Sequence, residues 1–474
     1  MKKISIFEIY KIGIGPSSSH AMGPWNAAKS FLSRIKEKQG TLDKIQSISI
    51  TLFGSLAKTG SGHGTDKAIM MGLMGFNIRT FKSNQLFQNI ENIKSSKSIM
   101  LLNEKEVPFN IKKDIIFNRT HKELTYPNTM QFSVKFLNKE LFSSTYYSTG
   151  GGFIKYKGQP ATTNQKSDIP YPIQTAADMI HWCESTKKTI DQLSLENELQ
   201  WNTKERINSE LELIWEVMQN SIFDGCNTKG KLPGGLNVTR RASTLNHDLL
   251  KGKRHKTQNE WIEHIKKEPN DIDNVTKWVS CFALAVNEIN ASYGRIVTAP
   301  TNGSAGVIPA VVMYYYYFHK NIDIEKIKLF LLVAGEIGML FKKGATISAA
   351  SGGCQAEIGV SSAMAAAGLS FSLGGNIHQI LMAAEIAMEH HLGLSCDPVG
   401  GLVQIPCIER NTMGAMKAIT AAQLSIHSNP MDAKVSLDDV IKTMWETAKD
   451  MNQKYKETAE GGLALRIPVN EPEC

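Results

Sequence analysis

Residues 48–52 alternate apolar Ile48, Ile50 and Leu52 with polar Ser49 and Thr51, the two-residue period of a strand with one buried face. The same period returns at 130–136, where Met130, Phe132, Val134 and Phe136 enclose Gln131, Ser133 and Lys135. A polar Asn138-Lys139 turn then leads into a further strand-like run at 141–147. Between 155 and 172 the sequence KYKGQPATTNQKSDIPYP has no apolar period and is rich in Gly, Pro, Ser, Thr and Asn, which predicts a linker. Beyond it the period turns helical at 211–219, 276–289 and 324–342, and the Ala- and Gly-rich stretch 344–401 predicts closely packed helices ended by glycines. The chain is therefore predicted to be multidomain: a small N-terminal α/β domain over 1–154, a linker over 155–172, and a large all-α domain over 173–474. No repeat at solenoid spacing is visible.

A length of 474 residues exceeds what one hydrophobic core usually organises, which agrees with that division. Hydrophobic residues at 42% and charged residues at 21% are ordinary for an ordered globular protein. The formal net charge of +8 is spread along the chain. Its one short basic run, Lys251, Lys253, Arg254, His255 and Lys256, predicts a solvated loop rather than a nucleic-acid surface. Lys2 and Lys3 open the chain, but Glu8 and Lys11 break the apolar core that a signal peptide needs, so a cytoplasmic location is expected. The uncharged stretch 358–384 contains Ser361, Ser362, Ser370, Ser372, Gln379 and the pair Gly374-Gly375, and predicts buried helices rather than a membrane span.

Seven cysteines in such a chain point to metal, catalysis or packing rather than disulfides. Cys183 and Cys281 lie in apolar helical surroundings and read as packing. Cys354 in SGGCQAE, Cys396 in LSCDPVGG and Cys407 in QIPC are each bordered by Gly or Pro, which predicts turns or helix ends where a thiolate faces a cavity and backbone N–H groups reach sulfur. Their spacing is far wider than that of ferredoxins or zinc fingers, so a metal site and three cysteines in tight turns both stand on spacing alone. A count of three has its own meaning, because three thiolates on an iron cluster leave one iron open, and an open iron is a Lewis acid.

His20 in GIGPSSSHAMGP and His63 in GSLAKTGSGHGTDK stand in glycine- and serine-rich loops, where an imidazole with an ordinary pKa near ~6.5 suits proton transfer. Each also suits the simpler task of steadying its own loop. Residues 148–152 (STGGG), 232–240 (LPGGLNVTR) and 301–306 (TNGSAG) read either as anion cradles or as tight turns. None is a Walker A loop or a dinucleotide fingerprint.

Together, GIGPSSSHAMGP, GSLAKTGSGHGTDKA, STGGGFI, LPGGLNVTRRA, APTNGSAGVIPA, SGGCQAEIGVSSAMAAAG and EHHLGLSCDPVGGLVQIPCIERN resemble, in order along nearly the whole chain, the bacterial iron-sulfur-dependent L-serine dehydratases of the single-chain type. The resemblance implies an N-terminal domain related to an allosteric substrate-binding domain, followed by a helical catalytic domain. It implies a 4Fe-4S cluster held by Cys354, Cys396 and Cys407, with the terminal Cys474 as a further iron ligand in the resting enzyme. His63 is then the leading base and His20 a second acid-base or binding group. Ser17, Ser18, Ser19, Thr301, Asn302, Gly303 and Ser304 would line the L-serine pocket, and Arg240 would pair with a carboxylate. A homodimer is implied, with neither nucleic acid nor membrane as partner.

Two other readings are separable by experiment. A pyridoxal-phosphate dehydratase performs the same overall reaction and needs a Schiff-base lysine, for which Lys67 is the nearest candidate, in surroundings unlike that family's lysine motif. A non-catalytic amino-acid sensor would use the thiolates for structural zinc.

Overall fold

The computed structural model describes residues 4–120, 126–159 and 169–467. Nine strands are present among them: β1 (Ile12–Ile14), β2 (Ile45–Gly54), β3 (Ser98–Leu101), β4 (Lys105–Pro108), β5 (Ile115–Asn118), β6 (Asn128–Phe136), β7 (Leu141–Ser148), β8 (Ile154–Tyr156) and β9 (Arg295–Val297). Five of them form a sheet in the order β5-β2-β6-β7-β8, parallel only between β2 and β5. The predicted alternation sets the register: Ile50 lies opposite Phe132 and Leu52 opposite Met130, and these four side chains are buried together. Helix Gly23–Gln39 covers that face, its Phe31 stacking on Phe132 with ring centroids 5.3 Å apart. Of the predicted linker, 160–168 lies outside the described residues, and β8 occupies its start.

The rest of the chain is helical, so the architecture is the predicted α/β unit followed by a large helical body. The predicted helical runs fall inside Lys204–Asn227, Ile272–Ala291 and Ile324–Gly344. At the centre, helix Ile358–Ser372 is buried on every side from 358 to 370 and packs against Val307–Phe318, Ile324–Gly344, Ile377–Glu389 and Cys407–Ile426. Its Ala and Gly positions allow that close approach, and each fully buried Val360, Met364 or Leu369 contributes roughly 1.5–3 kcal/mol. The serines that argued against a membrane span meet neighbouring helices: Ser362 donates to the Gly414 carbonyl at 2.8 Å, and Ser370 meets Ser425 at 3.1 Å. Among the described residues no helix is long and apolar enough to cross a membrane. The 251–256 run is largely exposed, with Lys251 and Lys253 paired to Glu268.

The two hydrophobic cores interlock. Ile4, Ile6, Ile9, Tyr10 and Ile12 pack in the helical core, while Tyr293 from the helical part packs in the α/β core. Strand β1 pairs antiparallel with β9, Ile12 opposite Val297. Buried Glu198 accepts the Ile6 N–H and the Ser5 hydroxyl, both at 2.8 Å. Phe153, just past β7, has the Lys11 ammonium 3.3 Å and the Lys342 ammonium 3.6 Å from its ring centroid, joining the two parts by cation–π contact.

Candidate active site

His20 sits in a π-helical turn, Ser18–Met22, that runs into helix Gly23–Gln39; such turns are frequent at functional sites. Ser17 caps the turn, its Oγ accepting the His20 N–H at 3.2 Å. His20 Nε2 lies 3.0 Å from both Ser55 Oγ and Thr59 Oγ1. The Ser55 hydroxyl donates to the Glu457 carbonyl at 2.7 Å and the Thr59 hydroxyl to the Ser55 carbonyl at 3.0 Å. Both hydroxyls therefore accept from Nε2–H, and the His20 lone pair is left on Nδ1. That nitrogen lies 2.9 Å from Ser19 Oγ, which is itself 3.2 Å from Ser17 Oγ.

His63 lies in the turn between helices Ser55–Thr59 and Thr65–Leu73. Its Nδ1 donates to the Thr59 carbonyl at 2.9 Å, leaving the lone pair on Nε2. The two imidazoles stack with centroids 4.3 Å apart. Glu457 Oε1 lies 3.5 Å from His20 Nδ1 and 3.6 Å from His63 Nε2, with all three residues buried. Burial, with His63 alongside, pulls His20 well below the usual histidine range, and burial lowers His63 to about 4. Both rings are neutral near pH 7 and able to accept a proton. Burial, followed by the nearby Glu357 and Cys354, pushes the Glu457 carboxyl far up.

Glu457 and the thiols share one scaffold. Cys396 is bonded on both sides to the strap formed by residues 452–467: its N–H donates to the Tyr455 carbonyl at 2.7 Å and its carbonyl accepts the Glu457 N–H at 2.9 Å. Cys354 follows Gly353, whose φ of +72° suits glycine and whose missing Cβ leaves room for the Leu394 carbonyl. Cys407 opens helix Cys407–Ile426. One turn on, Arg410 sends Nη1 to Cys354 Sγ at 3.1 Å and to the Ser395 carbonyl at 2.8 Å, and Nη2 to Asp397 Oδ1 at 3.0 Å. A hydrogen bond from the Cys396 thiol, aided by the Arg410 guanidinium, draws the Cys354 thiol down to about 7. The Cys396 thiol is pushed up as the donor of that pair, and the buried Cys407 thiol is also pushed up, with Cys354 and Glu357 close enough to add to the effect. Ligand atoms of Cys354, Glu357 and Cys396 all lie within 4.8 Å of one another.

The 301–304 loop closes the constellation. Glu357 bonds to Thr301, and its carboxylate lies over Gly303, where a Cβ would come within 2.6 Å of Oε2. Thr301 and Ser304 hydroxyls meet at 3.0 Å. Asn302 Nδ2 donates to the Ile14 carbonyl at 3.0 Å and to Asn290 Oδ1 at 2.9 Å, and Asn290 in turn reaches the Pro16 carbonyl at 2.8 Å, which ties this loop to the base of the His20 loop. Buried Asn302 Oδ1 has no hydrogen-bond partner among the described residues, as expected of an acceptor turned towards a ligand.

The structure thus brings together Ser17, Ser18, Ser19, His20, His63, Thr301, Asn302, Gly303, Ser304, Cys354, Cys396 and Cys407. Arg240 is engaged elsewhere: its guanidinium bonds to the Glu288 carbonyl at 3.3 Å and to Ser292 Oγ, at the end of helix Ile272–Ala291. Its bonds reach neither the imidazoles nor the thiols. Cys474 lies outside the described residues. Of the other two glycine-rich segments, STGGG packs on Ile347 and Ser348, and LPGG packs on Leu402 and accepts from Gln404 at its Pro233 carbonyl. Cys183 and Cys281 are packed in the helical core.

Sequence reasoning missed Glu357, Arg410, Asp397, Ser55, Thr59 and Glu457. Glu357 and Arg410 each follow a site cysteine by one helical turn, a signal that was available. Nothing local marks Glu457, which adopts φ +58°, a left-handed conformation uncommon for a residue with a side chain.

The sequence is similar to known proteins along nearly its whole length. Residues 5–159 match the serine dehydratase beta chain family and residues 185–464 the serine dehydratase alpha chain family. An L-serine dehydratase of Haemophilus influenzae is 44% identical over 472 residues, covering 98% of this chain and 100% of that protein. L-serine dehydratase TdcG of Escherichia coli and an L-serine dehydratase of Streptomyces coelicolor are each 44% identical over 468 residues, covering 98% of this chain and 99% of theirs.

Proposed function

The chain belongs to the serine dehydratase family, and from that premise we propose that it converts L-serine to pyruvate and ammonia, with Cys354, Cys396 and Cys407 holding a 4Fe-4S cluster. One observation carries the reading: two neutral imidazoles and three buried thiols share one scaffold, joined by the strap that bears Glu457 and is bonded to Cys396. The donor set suits such a cluster. Cys354 and Cys396 are hydrogen-bonded to each other and Cys407 is near enough to act on both, a guanidinium already hydrogen-bonds one sulfur, and Cys183, Cys226 and Cys281 lie in the helical core. When bound, the cluster supplies a Lewis-acidic iron that eases departure of the serine hydroxyl.

The protein's own groups do the rest. His63 Nε2, its tautomer fixed by the Thr59 carbonyl, takes the Cα proton. His20 holds a lone pair beside Ser19 and relays or positions that proton. Asn302 Oδ1 offers an acceptor for the substrate ammonium, while the hydroxyls of Ser17, Ser18, Ser19, Thr301 and Ser304 and the open backbone at Gly303 bind the carboxylate. Burial of the whole constellation keeps bulk water out until elimination is complete. Aminoacrylate then tautomerises to an imine, which water hydrolyses to pyruvate and ammonia.

The pyridoxal reading loses its lysine. The Lys67 ammonium lies 3.8 Å from Asp66 and faces the Tyr293 ring; burial lowers its pKa, but Asp66 and Tyr293 together outweigh that and hold it above the usual lysine value, opposite to what a Schiff-base nucleophile needs. We take the working enzyme to be a cytoplasmic homodimer. The test is anaerobic purification with iron and sulfide analysis and a pyruvate assay. About four irons per chain and serine-dependent pyruvate are expected, with iron lost from Cys354→Ser, Cys396→Ser and Cys407→Ser. An iron-free preparation of full activity overturns the cluster, and absence of pyruvate from an iron-loaded one overturns the activity.

A further inference from the structure

His63 stands between two glycines, Gly62 and Gly64, and both are pressed from outside. Gly64 has a φ of +66°, in the left-handed region that suits glycine. The Tyr293 ring lies against it, so that a Cβ on Gly64 would come within 2.6 Å of Cε1 and 2.8 Å of the phenol oxygen. On the other flank, a Cβ on Gly62 would come within 2.8 Å of the Gly400 carbonyl oxygen and 2.7 Å of that of Gly401. The turn that carries the imidazole is thus held from both sides, by backbone on one and by a single side chain on the other.

Tyr293 belongs to the corner 290–294, where helix Ile272–Ala291 ends and the chain turns into β9. Its φ of +60° is uncommon for a residue with a side chain. The ring enters the α/β core, where Phe87 meets it edge-on with centroids 5.9 Å apart and the Lys67 ammonium lies 5.7 Å from its centroid. The same corner holds the loop of the other histidine: the Gly294 carbonyl accepts the Gly15 N–H at 3.0 Å, and Asn290 Nδ2 donates to the Pro16 carbonyl at 2.8 Å. Next after Gly64, the Thr65 hydroxyl donates to the His20 carbonyl at 2.6 Å. This corner of the helical body therefore braces both imidazole loops of the α/β unit.

We propose that Tyr293 is a positioning residue for the elimination, its ring fixing the Gly62–Gly64 turn so that His63 presents Nε2 to the Cα proton of serine; the inference rests on the reading of His63 as the base. Tyr293 acts through Gly64 and not on the reacting atoms. Glycine is the residue least able to hold its own backbone conformation, so a turn flanked by two of them keeps its shape only through what packs against it. Misplacing a catalytic group by an ångström costs about 100-fold in rate. A ring that merely filled the core would affect how many molecules fold, and would leave the chemistry of each folded molecule unchanged.

The test is anaerobic kinetics of the cluster-loaded enzyme with L-serine and with serine deuterated at Cα, rates normalised to bound iron, for the parent, Tyr293→Leu and Tyr293→Phe. Leucine has no atoms where Cε1, Cζ and the oxygen of Tyr293 lie, whereas phenylalanine lacks only the oxygen. Tyr293→Leu should keep its iron and its KM for serine, lose up to about 100-fold in kcat, and show a larger deuterium isotope effect than the parent, because removal of the Cα proton becomes the slowest step. Tyr293→Phe should restore most of that kcat. A fall in kcat at the parent's isotope effect would make the ring a packing group and overturn the proposal, as would equal losses in the leucine and phenylalanine variants. Should Tyr293→Leu fail to fold, Gly64→Ala decides in its place: its methyl displaces the turn from the ring, and the same loss with the same enlarged isotope effect is expected, an unchanged isotope effect being again the overturning result. His63→Ala separates two kinds of failure. Full turnover there removes the base and this inference with it, whereas lost turnover there beside an unaltered Tyr293→Leu removes the inference alone.

Discussion

Asp397→Asn tests whether the strap carrying Glu457 is held down by a single side chain. Asp397 is 4% exposed and divides its carboxylate between two donors, Oδ1 taking Arg410 Nη2 at 3.0 Å and Oδ2 the Leu463 N–H at 2.8 Å. Asparagine has the same shape but one acceptor oxygen, so its amide must face one of the two donors. Arg410 keeps the Ser395 carbonyl and Cys354 whichever way the amide turns, and Leu463 is the partner left without compensation. A hydrogen bond to a charged group contributes about 1.5–3 kcal/mol, so local opening of the strap should become roughly 10-fold to 150-fold more populated. Hydrogen exchange read by mass spectrometry over 453–467 should speed up by that factor, while helix Ile358–Ser372 keeps its protection. Unchanged strap exchange would show that Asp397 is not the latch. Equal acceleration in both segments would show a loss of global stability instead.

His63→Ala should retain iron yet lose about 100-fold to 10,000-fold in turnover; loss of iron together with activity would give His63 a structural role. Burial raises the Glu198 carboxyl to about 7, so the folded chain keeps a proton that the unfolded chain releases near pH 4.5, and its stabilising effect is full below that pH and lost as pH rises towards 7. Glu198→Gln, which keeps an acceptor for the Ile6 N–H, should raise the urea midpoint at pH 8 but not at pH 4, by a free energy of up to about 3 kcal/mol; equal effects at both values would refute the assignment. Phe153→Leu keeps an apolar side chain but removes the ring between Lys11 and Lys342, and should cost about 1–3 kcal/mol in thermal or urea unfolding, where no loss would mean that the two ammoniums do not bind the ring.

The sheet was legible because one-sided burial writes a two-residue period into β2 and β6, and their pairing then follows. Helix Ile358–Ser372 was legible as buried but not as the hub of the fold, since burial on every side leaves no period to read. The three cysteines announced themselves through the Gly and Pro that turn the chain beside them. Glu457 gave no such sign, because its partners Ser19, His20, Ser55 and Thr59 lie some four hundred positions away and its use depends wholly on tertiary placement. Arg240 shows the converse. A guanidinium beside a glycine-rich loop suggests an anion anchor, yet at the nearby end of helix Ile272–Ala291 it shares the Glu288 carbonyl with the Ser292 hydroxyl. Segment 4–12 was grouped with the α/β unit, although its isoleucines pack in the helical core, because a three-residue strand is too short to carry a pattern.

The pairing of β1 with β9 sets a timetable for biosynthesis. Ile12 leaves the ribosome early, but its partner Val297 is made 285 residues later, which at about 5–20 residues per second is a delay of roughly 15 to 60 seconds. The sheet of the N-terminal half is complete in the nascent chain long before that, whereas the opening segment, and with it the Ser17–His20 turn, waits without its permanent neighbour. Only after the chain has passed residue 297 can that turn be fixed beside the later-made loops, so a ribosome-bound or truncated product ending before this point carries a folded sheet and an unassembled site.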